Sequence, residues 1–291
     1  MMLSQVFRGW NRVGRKHAMN LVLACSFAVL PATNSMAFSD LYVFGDSLSD
    51  SGQLMGAAPA FCPAAPYVGC RFSNGPVWVE NIAADLGLTA TPSTLGGTNY
   101  AIGGATANAI LGQAASFSSS VGGVADADAL YIILGGGNDF LQMLDPLAAA
   151  DDIISTVLSL SAIGAENIMV ANLPSLNPTF NVAFNGALAS GLDSLEGMAG
   201  LNLIRFDLVA LVTGIFISPG TFGFSNISER CFDGVTVCSD PDAYFFWDSV
   251  HPTAAVHRVV ADGALAAIPE PGTALLLGIG LCAMAAGRRR A

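Results

Sequence analysis

The sequence predicts an α/β fold, a three-layer α/β/α sandwich around a central parallel sheet, and three observations carry that expectation. Strand-like apolar runs alternate with stretches of helical length and periodicity, the pattern of successive strand–helix units. No internal repeat or low-complexity linker interrupts the middle of the chain, so one domain accounts for it. Two polar blocks, around Ser47 and around Asn138, each follow an apolar run directly. Parallel sheets present ligand-binding residues at that carboxyl-terminal edge.

The expected strands are Leu41–Phe44, Thr98–Ile102, Leu130–Leu134, Asn167–Asn172 and Leu201–Asp207. Helices are expected over Gly75–Leu86, Pro146–Ile163 and Asn181–Gly200, with Thr253–Ile268 as the closing helix. Two irregular stretches break the alternation, Gln53–Gly75 and Ile215–Trp247, each carrying a pair of cysteines. Irregular segments of that length are usually functional or mobile, and both lie near polar blocks in sequence. They are candidate walls of a substrate site, or surface ornament held by disulfides.

The ends of the chain have their own composition. Arg8, Arg12, Arg15 and Lys16 precede a short apolar core from Leu21 to Leu30, and Ser35-Met36-Ala37 then offers small residues for cleavage. That order is a secretory signal peptide over residues 1–37. The apolar core is short against the roughly 20 residues a membrane span needs, which favours cleavage over anchoring. At the other end, Pro269-Glu270-Pro271 is followed by an apolar run from Thr273 to Gly287 and then Arg288-Arg289-Arg290. Residues 269–291 resemble the PEP-CTERM sorting signal of bacterial envelope and exopolysaccharide systems. The resemblance implies the secretion machinery and an exosortase-type protease as partners. The apolar run would hold the tail in the membrane transiently as a helix, its arginines on the cytoplasmic side. A plain C-terminal anchor is the alternative.

Between these ends, residues 38–268 keep four arginines, no lysine and 21 acidic residues, a formal balance of −17. So acidic a body repels phosphates and excludes nucleic acid as a partner. It suits a neutral or apolar substrate. Cys62, Cys70, Cys231 and Cys238 lie in this span, and export places them in an oxidising compartment. Two disulfides are expected; short loop closure favours local pairing, although four cysteines allow three pairings. The cysteine spacings are too wide for a Cys-x-x-Cys metal site. The sequence carries no phosphate loop, nucleotide fingerprint or metal cluster, and no cofactor is expected.

The chemistry concentrates in separate blocks. Phe44-Gly45-Asp46-Ser47-Leu48-Ser49-Asp50 sets a serine in the turn after the first strand. Far downstream, Asp248 and His251 stand three positions apart in Asp248-Ser249-Val250-His251-Pro252-Thr253. A serine hydroxyl needs a base to become a nucleophile. A histidine serves when a carboxylate fixes its tautomer and steadies its cation. Each residue also has a structural reading: Ser47 as a helix N-cap, Asp248 as a cap for the closing helix, Asn138-Asp139 as a strand-end turn, Gly103-Gly104 as a tight turn. Ser49 and Ser51 are rival serines, and His257 falls within the closing helix as a surface or packing residue.

Four blocks in order resemble the GDSL (or SGNH) esterase/lipase family: Gly45-Asp46-Ser47-Leu48, Asn99 to Ala105, Gly136-Gly137-Asn138-Asp139, and Asp248 to Pro252. The run Arg71 to Trp78 also looks like the segment after the first block in many members. The resemblance spans roughly residues 40–266. It implies a flavodoxin-like three-layer sandwich, the SGNH hydrolase fold, and cofactor-free ester hydrolysis through an acyl-enzyme. It selects Ser47 as nucleophile, His251 as base and Asp248 as orienting carboxylate. It assigns the oxyanion donors to the Ser47 N–H, the Gly104 N–H (Gly103 being the less favoured alignment) and the Asn138 side chain. The expected partner is an ester: short acyl, lipid or acetylated polysaccharide. Transfer of the acyl group to a sugar or lipid hydroxyl, or a non-catalytic binding role, are the competing readings.

Overall fold

The computed structural model describes residues 38–174 and 178–269. The expected leader and most of the expected sorting segment, including its apolar run, lie outside these residues. Within them the chain forms, in order, β1 (Leu41–Gly45), α1 (Gln53–Ala57), α2 (Trp78–Asp85), α3 (Ala107–Ser120), β2 (Leu130–Leu134), α4 (Gly137–Leu141), α5 (Pro146–Ala162) and β3 (Asn167–Ala171). It continues with α6 (Pro178–Leu195), β4 (Asn202–Phe206), α7 (Leu208–Ile217), β5 (Asn226–Arg230), β6 (Tyr244–Phe246) and α8 (Ala254–Ala267).

The main sheet has the order β1-β2-β3-β4, all parallel, with Leu41 opposite Leu130 and Leu130 opposite Asn167. Side chains of a strand alternate between its two faces, and here both faces are buried. Leu41, Val43, Leu130, Ile132 and Leu134 pack with α2, α7 and α8 through Trp78, Ile82, Leu208, Val256 and Val260. Phe44, Tyr131, Ile133, Ile168 and Val170 pack with α3, α5 and α6 through Ile110, Phe117, Ile153, Val157 and Phe184. Such double burial is why these strands are almost wholly apolar. Each large side chain so buried contributes roughly 1.5–3 kcal/mol, and two continuous clusters make the three-layer sandwich the sequence predicts.

Two expectations need correction. Thr98–Ile102 is not a strand. It runs beside β1, with Val43 N–H donating to Thr98 O (3.2 Å) and Tyr100 N–H to Val43 O (2.8 Å), but Asn99 makes only isolated bridges. The reason is local: the buried Asn99 side chain bonds Ser49 O, Ser51 Oγ and the Ala101 N–H, and the Gly103-Gly104 turn follows at once. The second correction concerns Ile215–Trp247, expected as irregular. It begins inside α7 and includes a second, two-stranded parallel sheet, β5-β6. Both disulfides are local, Cys62–Cys70 and Cys231–Cys238.

Candidate active site

Ser47 stands two residues past β1 in a tight turn, closed by Ser49 N–H to Asp46 O (3.0 Å) and Leu48 N–H to Asp46 Oδ1 (3.0 Å). It is not a helix cap, since α1 begins only at Gln53. Asp50 ties this turn to the next block: its Oδ1 accepts the N–H groups of Gly52 and Gln53, and its Oδ2 accepts that of Gly103 at 2.8 Å. Trp78 Nε1 donates to Ser49 Oγ (3.0 Å), so the rival serines Ser49 and Ser51 are both buried and engaged within the scaffold.

The Gly103-Gly104 turn has a division of labour. Gly103 gives its N–H to Asp50, and a Cβ there would come within 2.2 Å of the Phe72 ring. Gly104 adopts φ +83°, a left-handed conformation that suits glycine. No acceptor among the described residues takes the Gly104 N–H or the Ser47 N–H. Asn138, in the first turn of α4, gives one amide hydrogen to Ala105 O at 3.0 Å and keeps the second. Its neighbour Asp139 is buried and accepts the N–H of Ala107 at 2.9 Å, fixing the start of α3 beside the same turn. Burial pushes the Asp139 and Asp50 carboxyls up, and pushes Asp46 up to about 6.

The Asp248–His251 loop is pinched at its base. Trp247 N–H donates to His251 O (2.8 Å), Thr253 N–H to Phe245 O (3.0 Å), and Phe246 bridges Pro252. The segment after the first block braces it: Ser73 Oγ donates to Pro252 O (2.9 Å), and Asn74 Oδ1 accepts the Ala254 N–H (2.8 Å). Within the loop, Asp248 Oδ1 accepts the N–H groups of Val250 and His251. Asp248 therefore organises its own loop, while the cap of α8 is Thr253. The other carboxylate oxygen lies 2.8 Å from His251 Nδ1, and His251 Nε2 lies 2.9 Å from Ser47 Oγ. Burial works to raise the Asp248 carboxyl, but the hydrogen bonds from His251 and Tyr67 outweigh it and hold the group well below the usual carboxylate range.

Tyr67 is the residue the sequence did not reveal. Its hydroxyl donates to Asp248 Oδ2 at 2.7 Å, and its ring packs edge-on against Trp247 and Phe232. It sits inside the Cys62–Cys70 loop, and Phe232 follows Cys231 of the other disulfide. The two stapled loops thus meet behind Asp248. Phe72 lies against the His251 ring at 5.3 Å. His257 takes no part in this chain of bonds: it is buried against the same side of the fold, its Nδ1 accepts the Trp78 N–H, and burial, with the nearby His251, pushes it down to about 3. It is a packing residue.

Ser47 and Asn138 open onto a chamber of about 150 Å³ between the sheet edge, α7 and α8. Its walls are mostly apolar, including Leu48, Leu134, Val212, Phe245 and Val260. The site therefore combines a serine, a histidine and a carboxylate in hydrogen-bonded sequence, N–H groups on Ser47 and Asn138 without an acceptor among the described residues, and an apolar recess next to it.

The arrangement defines a serine–histidine–carboxylate site at the carboxyl-terminal edge of a parallel sheet. The profile of GDSL-like Lipase/Acylhydrolase matches residues 41–264, and the chain belongs to that family. Residues 267–290 match the PEP-CTERM protein-sorting motif. Esterase EstA of Pseudomonas aeruginosa is 30% identical over 88% of this chain and 51% of its own length. Phosphatidylcholine-sterol acyltransferase of Aeromonas hydrophila is 25% identical over 82% of this chain and 92% of its own. The chain spans about half the length of the first curated relatives it matches. Among solved structures, a lipolytic G-D-S-L family protein from Veillonella parvula aligns with a TM-score of 0.48 and 17% identity, over 79% of this chain and 97% of that one. Among the described residues no helix is long and apolar enough to cross a membrane.

Proposed function

We propose that this chain is an exported serine esterase that hydrolyses carboxylic esters through an acyl-enzyme. The observation that carries this reading is the unbroken relay from Asp248 Oδ2 through His251 (2.8 Å) to Ser47 Oγ (2.9 Å). In the proposed reaction His251 Nε2 takes the Ser47 proton as Oγ attacks the ester carbonyl. The carboxylate of Asp248 stabilises the imidazolium that results. The oxyanion is held by the Ser47 and Gly104 N–H groups and the second Asn138 amide hydrogen, donors aimed where charge develops. Collapse expels the alcohol, which takes the proton from His251. Water, deprotonated by the same nitrogen, then attacks the acyl-serine, and Ser47 leaves with the proton.

The apolar chamber beside Ser47 supports the acyl chain as its occupant. The sorting motif supports export to the cell envelope, with an exosortase-type protease acting at residues 267–290. The test is turnover of a short p-nitrophenyl ester by the exported protein. Ser47→Ala should remove turnover while leaving the melting temperature close to wild type. Full activity in a folded Ser47→Ala variant would contradict the assignment.

Acyl transfer is the second reading, favoured by the Aeromonas relative named as an acyltransferase. Both reactions share the acyl-enzyme and differ in the acceptor that resolves it. Adding a sugar or sterol alcohol during turnover separates them: transfer yields a new ester, hydrolysis only free acid.

A further inference from the structure

The mouth of the chamber carries apolar side chains left in solvent. Leu141, Phe216 and Val250 line the chamber and are themselves exposed. From two of these the apolar surface continues outward along the chain. Met143 and Leu144 follow Leu141 in the turn between α4 and α5, and Ile217 follows Phe216 at the end of α7. Met143 is 92% exposed and Ile217 is 76% exposed. Met143 also holds φ +57°, a left-handed backbone in which a non-glycine residue is uncommon. Single exposed apolar residues are ordinary, whereas several gathered around one opening mark an interaction surface.

Charge narrows the kind of surface that fits. The body between the two chain ends holds four arginines against 21 acidic residues. Three of those arginines are held in ion pairs: Arg71 with Glu80, Arg205 with Asp193 and Glu196, Arg258 with Asp85 and Asp262. A body so short of cations gains nothing from anionic headgroups, which attract clustered lysine and arginine. Apolar contact with an uncharged or zwitterionic lipid surface meets no such penalty.

We propose that the rim of Leu141, Met143, Leu144, Phe216, Ile217 and Val250 docks on an uncharged or zwitterionic lipid surface. Seated there, the chamber mouth faces the lipid, and an acyl chain passes from one apolar medium to another without crossing water. The catalytic consequence rests on the reading of Ser47 as nucleophile; the docking itself does not.

The experiment uses the protein as the cell exports it, beside a Met143→Ser/Ile217→Ser double variant, neither residue lining the chamber. Flotation with phosphatidylcholine vesicles should carry the wild type, and the variant's partition should fall roughly 10-fold or more, since each lost apolar side chain removes contact area. Doping the vesicles with phosphatidylglycerol should weaken binding, and added salt should restore it. Turnover of dissolved p-nitrophenyl acetate should be equal in both proteins, while hydrolysis of an emulsified ester should fall in the variant alone. Equal flotation of the two proteins, or none with either, would overturn the proposal. So would light scattering that shows a wild-type dimer and a monomeric variant, which makes the rim a contact between copies. In the full-length, unprocessed chain, binding gained by deleting residues 273–291 would also overturn it, because the chain's own apolar segment would then be the occupant. Loss of p-nitrophenyl acetate turnover in both proteins, with flotation intact, would count against the Ser47 reading and leave docking standing.

Discussion

The Tyr67 hydroxyl donates to Asp248 Oδ2 at 2.7 Å across 181 residues of sequence, so the carboxylate facing His251 is held from behind as well as in front. Without Tyr67, Asp248 keeps its two backbone bonds through Oδ1, but Oδ2 loses the second donor that fixes its direction. Hydrogen bonds to charged groups are worth about 1.5–3 kcal/mol.

Tyr67→Phe should therefore lower kcat roughly 10-fold or more while KM changes little. The phenyl ring keeps the packing on Trp247 and Phe232, so thermal stability should fall only slightly. In an Asp248→Ala background the same substitution should change nothing further, a coupling that a double-mutant cycle measures directly. Additive losses would assign Tyr67 a merely structural part.

His257 sets a pH dependence of stability rather than of catalysis. Its folded value is pushed down to about 3 from the ordinary 6.5, so below about 6.5 the unfolded chain binds a proton the folded chain refuses. The stability it contributes is complete above that pH and is lost as pH falls toward about 3. Asp46, raised to about 6, acts in the opposite sense over part of that window, so the wild-type curve alone is ambiguous. The comparison with His257→Gln isolates the histidine. The variant should be less stable near neutrality, and its deficit should shrink as pH falls through the window, by up to about 1.4 kcal/mol per pH unit. A deficit constant with pH in chemical denaturation would contradict this.

The neighbouring glycines should differ sharply. Gly104→Ala meets open space and keeps the N–H, so it suffers only the strain of φ +83°. Gly103→Ala would drive the Phe72 ring from 2.2 Å contact, and that ring lies against His251. Gly103→Ala should accordingly lose more kcat than Gly104→Ala, by roughly 10-fold. Steady-state kinetics on the two folded variants checks the order, and the reverse order would contradict it.

Most of the frame was legible because its signals are local. Leu130–Leu134 is a strand buried on both faces and reads as one apolar run. Helix α3 did not show, since Ala107–Ser120 is mostly alanine, serine and glycine, and its apolar face is thin. Helix α7 is apolar on nearly every side, which hides the periodicity that marks a helix. Thr98–Ile102 looked like a strand because its residues suit one; the buried bonds of Asn99 decided otherwise. Ser47, Asp248 and His251 were legible as types in blocks. Tyr67 was not, because nothing in its own segment distinguishes it. Its role depends on where the Cys62–Cys70 loop lands.

The central claim is that Ser47 is a nucleophile made reactive by His251, and covalent labelling tests it most directly. Native protein treated with a fluorophosphonate should gain the mass of one probe less HF, as Ser47 Oγ displaces fluoride, and peptide mapping should place the adduct on Ser47. His251→Ala and urea-unfolded protein should label far more slowly. Labelling at Ser49 or Ser51, or at Ser47 with equal speed in His251→Ala, would contradict the account.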